Sequence, residues 1–415
     1  MPWIILSSLA LIGSLALTWW LHRFHRFGLR VTPGMAALAG NGPLIAVIVP
    51  ARNEARNIRR CVAGLLAQRY PNLAVIVVDD GSTDDTPRIL AELARTSPRL
   101  RVVTGEPLPP GWAGKPHALA QGVQAAPPEA AWFCFVDADT FAEPDLIGAA
   151  YAAALTHGAE MLSLFTFQEL NTFWERVIMP LVFSALAVGF PPERVNDPAR
   201  PEAVANGQFI FIRRETYAAV GGHAALRGSI VEDKALAENV KRAGHRLLLA
   251  DGRALARTRM YAGLTEVWQG WTKNIYLGLD GRLPLLLVGI LTALAGALFL
   301  PGWLIAGTAW LANGGGLPAG LVTAQAVLTW VAVALVRTEV SRELGLPRWY
   351  ALTLPLGAAL FAAMMIVSAL RGRRGVRWKG RTYQATGVSR DSGATGASGS
   401  PEAPVSPEAP NPRST

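Results

Sequence analysis

Four long apolar runs constrain this chain more than any other feature: Ile4 to Leu21, Leu283 to Leu311, Leu317 to Val336 and Tyr350 to Leu370. Each comes close to or exceeds the roughly 20 residues that cross ~30 Å of hydrocarbon as a helix. A chain carrying them belongs at a membrane. Pro301 and Pro355 fall inside two of the runs, where a kink or break is expected. The first run has no basic residue before it and no small-residue cleavage site after it, and its basic flank, HRFHRFGLR at 22–30, lies on the far side. Residues 1–30 therefore read as an uncleaved anchor of a multi-pass protein in the cell or inner membrane, with the region from Gly42 onward on the cytoplasmic side.

From Gly42 to Arg282 the pattern changes. Short apolar runs (LIAVIV at 44–49, AVIVV at 74–78, a run around Val102, AWFCFV at 131–136) alternate with stretches of helical period. In the first of these, Glu54 to Gln68, residues Ile58, Cys61, Val62, Leu65 and Leu66 share one face. Others are expected over Asp84 to Arg95 and from about Pro116. Apolar strands alternating with helices predict an α/β domain over 42–282, its mostly parallel sheet covered on both faces. Cys61 and Cys134 fit buried positions in a reducing compartment and have no metal-ligand spacing.

In such sheets ligands bind at the carboxyl ends of strands. Asp79 and Asp80 end one predicted strand, and Asp137 and Asp139 end another, so the two pairs are expected at one sheet edge. Clustered carboxylates are costly unless something positive lies between them, and a divalent cation carrying a diphosphate fits. Asp84 and Asp85 read instead as a helix start.

Six motifs in order carry a family resemblance: VIVPARNE at 47–54, VVDDGSTDDT at 77–86, GKPHALAQG at 114–122, VDADT at 136–140, NGQFIFIRRE at 206–215 and IVEDKALA at 230–237. Together they resemble the family 2 glycosyltransferases. The resemblance implies a GT-A, Rossmann-like nucleotide-sugar domain, here with N-terminal and C-terminal transmembrane helices. It implies that Pro50, Ala51 and Glu54 line the nucleotide pocket, that Asp80 bonds the base, usually uracil, that Asp137 contacts the nucleotide, and that Lys115 sits near the donor. Asp139 would hold the Mg²⁺ or Mn²⁺ on the diphosphate, and Asp233 would be the general base beside a less certain Glu232. Gln208, His223, Gln269 and Trp271 are further candidates at the donor or acceptor mouth.

Processive members carry Q-x-x-R-W where this chain has EVWQGWTKNIY at 266–276, without the Arg-Trp pair. That departure and the segment RGVRWKGRTY at 374–383 resemble the carotenoid- and hopanoid-associated branch. The expected activity is inverting transfer of one sugar from a nucleoside diphosphate, UDP-linked, to a lipid-like, terpenoid acceptor. The alternatives are a polysaccharide or glycolipid headgroup synthase, and a non-catalytic membrane scaffold. The partners are the nucleotide sugar, the acceptor and membrane lipids. Nucleic acid is not expected, despite a formal charge of +9, because the cations cluster beside the apolar runs.

The apolar segment 172–190 is expected either on the membrane surface or as a core helix. Residues 371–385, with Arg371, Arg373, Arg374, Arg377, Lys379 and Arg381, read as a headgroup-binding segment, and 386–415 has no core-forming pattern. One conflict stands. Three complete spans over 283–370 would put the basic cluster outside, so either one run, that with Pro355, is re-entrant or the charge rule fails locally.

Overall fold

The computed structural model describes residues 2–24 and 28–372, with the short strands Val376–Trp378, Arg381–Tyr383 and Ser389–Asp391. Residues 386–388 and 392–415 of the tail lie outside the described residues, as do Arg373, Arg374 and Lys379 of the basic segment and 25–27 of the first basic flank.

Among the described residues, ten strands build the α/β region: β1 Ile45–Ala51, β2 Leu73–Asp79, β3 Leu100–Thr104, β4 Trp132–Val136, β5 Thr140–Ala142, β6 Met161–Phe165, β7 Phe167–Gln168, β8 Phe209–Arg213, β9 Leu247–Asp251 and β10 Ala256–Thr258. Seven form one sheet in the order β3-β2-β1-β4-β8-β6-β9, and β5, β10 and β7 form a small second sheet. The main sheet is parallel except at β8, which runs antiparallel to both β4 and β6. Strand parity sorts the core. Ile45, Val47, Val49, Val75, Val77, Trp132 and Cys134 pack on one face, while Ala46, Ile48, Ile76, Val78, Phe133 and Phe135 pack on the other. Both faces are covered, which is why these strands carry unbroken apolar runs. Each fully buried Ile or Phe contributes roughly 1.5–3 kcal/mol.

The helices sit flush. In the Gly114–Gln124 helix, a Cβ on Gly122 would stand 2.3 Å from Cγ2 of Ile48, so only glycine lets the helix approach β1 this closely. Ile58–Leu66 buries Ile58, Cys61, Val62 and Leu65, the predicted face.

The first helix runs Pro2–Phe24 and packs on Gly316–Glu343, where Ser7 and Ser8 bond Gln325. Among the described residues three helices are long and apolar enough to cross a membrane: Leu283–Ala312, Gly316–Glu343 and Arg348–Arg371. Neither proline breaks its segment. Pro301 follows a π-helical turn, Ala295–Phe299, and Pro355 falls in the first turn of Leu354–Gly372, where no backbone N–H is missed. The segment Phe173–Gly189 is a helix begun by a capping box between Thr172 and Glu175. Its Val177, Ile178, Met179 and Val182 are buried in a third apolar cluster with Tyr350 and Met364, so it joins the α/β region to the C-terminal helices.

Candidate active site

Two loops meet at the carboxyl edge of the sheet. Ala51 of β1 lies beside Asp79 of β2, and the Asp80 amide donates to the Ala51 carbonyl at 2.8 Å. Gly81 takes a left-handed φ of +67°, turning the chain so that Ser82 N donates to Asp79 Oδ1 at 3.1 Å and Arg52 Nη1 to the Asp80 carbonyl at 2.5 Å. Asn53, also left-handed, accepts from Thr83 N at 2.8 Å. Asp84 accepts from Ala55 N at 3.1 Å and from Thr86 N at 3.0 Å, and Asp85 stands at the N-cap of Thr86–Ala94. Burial pushes the Asp84 carboxyl up, but the bonds from Thr86 and Ala55 outweigh it and hold it below its ordinary value. Asp84 thus fastens one loop to the other.

Lys115, in the first turn of its helix, reaches Asp137 Oδ1 at 2.7 Å and Glu232 Oε1 at 2.8 Å. Asp233, beside Glu232 at the start of the Glu232–Arg242 helix, accepts from Gly207 N at 3.0 Å and from Lys234 N at 2.7 Å. A Cβ on Gly207 would lie 2.9 Å from Asp233 Oδ2 and 3.1 Å from Lys115 Nζ, so any side chain there would displace these two charged groups.

Charge is unevenly shared among these groups. Burial pushes Lys115 down, but Asp137, Glu232 and Asp233 outweigh it and keep the ammonium charged. Burial raises Asp137 against the opposing pull of Lys115. For Glu232 the same lysine wins over burial and holds the carboxyl low. Burial and then the neighbouring Glu232 push Asp233 up to about 6. The adjacent acids are therefore split, one firmly ionised and one poised to take a proton near neutrality.

A cavity of about 1670 Å³ joins this cluster to the long apolar helices. Pro50, Ala51, Glu54, Asp80, Lys115, Asp137, Asp139, Glu232 and Asp233, all singled out from sequence, line its polar end. Leu285, Val288, Phe299, Val336, Phe361 and Met365 line its apolar end. Gln269 and Trp271 project into it from the Leu264–Gly278 helix. Gln208 lines it too, but its side-chain carbonyl already accepts from Thr166 Oγ1 at 2.5 Å and Gln168 Nε2 at 2.9 Å.

His223 is a correction. It is not among the lining residues. Its ring meets Phe135 edge-on at 4.8 Å, and its Nδ1 pairs with Tyr217 Oη at 2.9 Å. Burial pushes its imidazole down to about 4, so it is a neutral core residue.

Asp139 lines the cavity, and its carbonyl accepts from Arg259 N at 3.0 Å, while Arg259 Nη1 reaches Glu175 Oε2 at 3.3 Å. Among the described residues no group of three or more His, Cys, Asp or Glu could hold a metal ion. A divalent ion that shares its coordination with a diphosphate needs only one or two protein carboxylates. Asp139, with Asp137 engaged by Lys115 beside it, supplies that donor set, so the residues fit such an ion.

Sequence reasoning missed Arg337 of Gly316–Glu343, which also lines the cavity. Its charge inside an apolar helix was the available indication, yet the run read from hydropathy stops at Val336.

The family model for glycosyl transferase family 2 matches residues 46–221. A 4,4'-diaponeurosporenoate glycosyltransferase of Staphylococcus aureus, strain MRSA252, is 30% identical over 262 residues, covering 62% of this chain and 68% of that protein. Its counterpart in strain USA300 is 29% identical over the same shares. Among solved structures, a mannosyltransferase from Pyrobaculum calidifontis in complex with GDP-Man and Mn²⁺ is similar with a TM-score of 0.50 at 18% identity, over 89% of this chain and 97% of that one. This last likeness shows the GT-A fold.

Proposed function

The chain belongs to glycosyl transferase family 2, and on that premise we propose that this glycosyltransferase moves a single sugar from a nucleoside diphosphate, UDP-linked, to an apolar, terpenoid-like acceptor drawn from the membrane. One observation carries the reading: the same cavity holds the carboxylate cluster at one end and membrane-helix side chains at the other. An acceptor with a long apolar tail and one reactive head fits that gradient. The similarity to the diaponeurosporenoate glycosyltransferases of Staphylococcus aureus supports the acceptor class.

Each residue then has a task. Pro50, Ala51, Glu54 and Asp80 bind the nucleoside, and Asp137 with Lys115 orients the donor. Asp139 holds the divalent ion, Mg²⁺ or Mn²⁺, as the Mn²⁺ of the mannosyltransferase complex suggests. When bound, the ion supplies positive charge where the diphosphate gains negative charge on leaving. Asp233 takes the proton of an acceptor hydroxyl as that oxygen attacks the anomeric carbon from the side opposite the leaving group, inverting the centre. A carboxylate acceptor arrives without that proton. Lys115 holds Glu232 ionised against its burial, and burial together with the charge on Glu232 raises Asp233 to about 6, basic enough to accept a proton at neutral pH.

The helices support a cytoplasmic catalytic region. Glu343, ending Gly316–Glu343, faces Arg253 at 3.7 Å, so that helix returns to the catalytic side. In the Arg348–Arg371 helix, Tyr350 packs on Phe173 and Arg371 Nη1 donates to Thr272 Oγ1 at 3.2 Å, so both of its ends touch helices fastened to the catalytic region. Its 18-residue apolar window is 44% buried, against 22% and 28% for the two spans before it. A third helix lying along the interface without crossing keeps Arg371 and the basic segment inside and removes the topology conflict.

The test is thermal stabilisation of the detergent-purified full chain by a panel of UDP- and GDP-sugars, with and without Mn²⁺. Selective, Mn²⁺-dependent stabilisation by one donor is expected. Folded protein that no donor stabilises overturns the reading.

A further inference from the structure

Arg337 is 4% exposed. Its Nη2 donates to the carbonyls of Arg176 at 3.0 Å and Val177 at 3.1 Å. The first bond has a local cause: Pro180 has no N–H to give the Arg176 carbonyl four residues back, so the guanidinium takes that place. This task occupies one nitrogen. Nε and Nη1 are buried without a hydrogen-bond partner. Capping a helix carbonyl needs only a neutral donor, whereas a buried guanidinium with two unengaged nitrogens is a fork that matches a carboxylate. Arg337 lines the cavity, as does Trp271, whose Nε1, a pure donor, is also buried without a partner.

The position is specific. Arg337 lies six residues before Glu343, the end that faces the catalytic region, or about 9 Å inward at the helical rise. That is the junction of the polar and apolar ends. Resting on the reading of this cavity as the acceptor chamber, we propose that Arg337 binds the carboxylate head of an acidic, apolar-tailed acceptor entering from the membrane, with the tail among Val288, Phe299 and Phe361.

The probe is a terpenoid pair differing only at the head, retinoic acid and retinol, titrated at pH 8 against the detergent-purified full chain by tryptophan quenching. In the wild type the acid binds at least ten-fold more tightly than the alcohol. Arg337→Gln, which keeps donors for the Arg176 and Val177 carbonyls, lowers acid affinity about ten-fold and leaves alcohol affinity unchanged. Arg337→Lys keeps part of the preference. Equal binding of acid and alcohol by the wild type overturns the proposal even if neither variant folds. So does a preference that survives in Arg337→Gln, or displacement of the acid by phosphatidylglycerol with no preference over the alcohol. Donor stabilisation, measured on the same samples, separates the cases. Protein that binds donor but shows no acid preference sinks only the Arg337 assignment, while loss of donor binding in the wild type sinks the transferase reading.

Discussion

The two ends of the cavity are built on opposite plans. At the sheet edge, Lys115 is gripped by Asp137 and Glu232, and Asp233 accepts from two backbone amides. At the apolar end the walls are Leu, Val, Phe and Met, and the Arg337 guanidinium at the junction of the two ends leaves two nitrogens unengaged. The polar end is pre-paired, so its geometry is set before any ligand arrives, as a transfer step requires. The apolar end has shape but little directional bonding, as suits a tail that must slide in, and concentrates its specificity in one residue.

Substitutions that act on one end alone test this division. The largest effect is expected from Asp233→Asn. With a hydroxyl acceptor, transfer should fall about 10²- to 10⁴-fold while donor stabilisation persists. A carboxylate acceptor should lose less, because it brings no proton to remove. Undiminished turnover of the hydroxyl acceptor would take the general base away from Asp233. With the wild type, transfer to a hydroxyl acceptor should decline as pH drops through about 6, the value to which burial and Glu232 raise Asp233, because protonation removes the base. The loss should approach ten-fold for each pH unit further down, and a flat rate from pH 7 to 5 would contradict it.

Ala293→Trp fills the apolar end. Transfer to a long-tailed acceptor should fall about ten-fold, with donor stabilisation untouched; a matching loss of donor binding would show that the two ends are not separable. The smallest effect is expected from Asp84→Ala, which removes a loop staple without touching the acid cluster. It should cost about 1 kcal/mol in denaturant unfolding at neutral pH, with a near-normal rate.

The difference between the ends also explains what could be read in advance. Strands buried on both faces write continuous apolar runs, so β1, β2 and β4 and the acids at their ends were legible from residue order. The reversal of β8 was not, because FIFIR reads the same in either strand direction. His223 lies ten residues before Asp233, and only packing shows that it is buried against Phe135 and Tyr217 and does not line the cavity. Arg337 escaped for a different reason. Hydropathy ends a span at the first charge, whereas the helix continues to Glu343 and buries the arginine against a neighbour's broken hydrogen-bond ladder. The packing of Leu354–Gly372 likewise depends on contacts with Phe173–Gly189 and Leu264–Gly278, which composition cannot encode.

Arg259 bears on any attempt to study the ends separately. Its amide holds the Asp139 carbonyl, while its guanidinium holds Glu175, which caps the helix roofing the chamber. One residue is thus a hinge pin shared by two rooms. A substitution there removes the guanidinium's hold on Glu175 but keeps the amide bond to the Asp139 carbonyl, and by thermodynamic reciprocity any factor by which one ligand sharpens the other's binding through this contact must be returned in equal measure. A clean dissection leaves Arg259 intact, and a deliberate measurement of communication between the ligands begins with it.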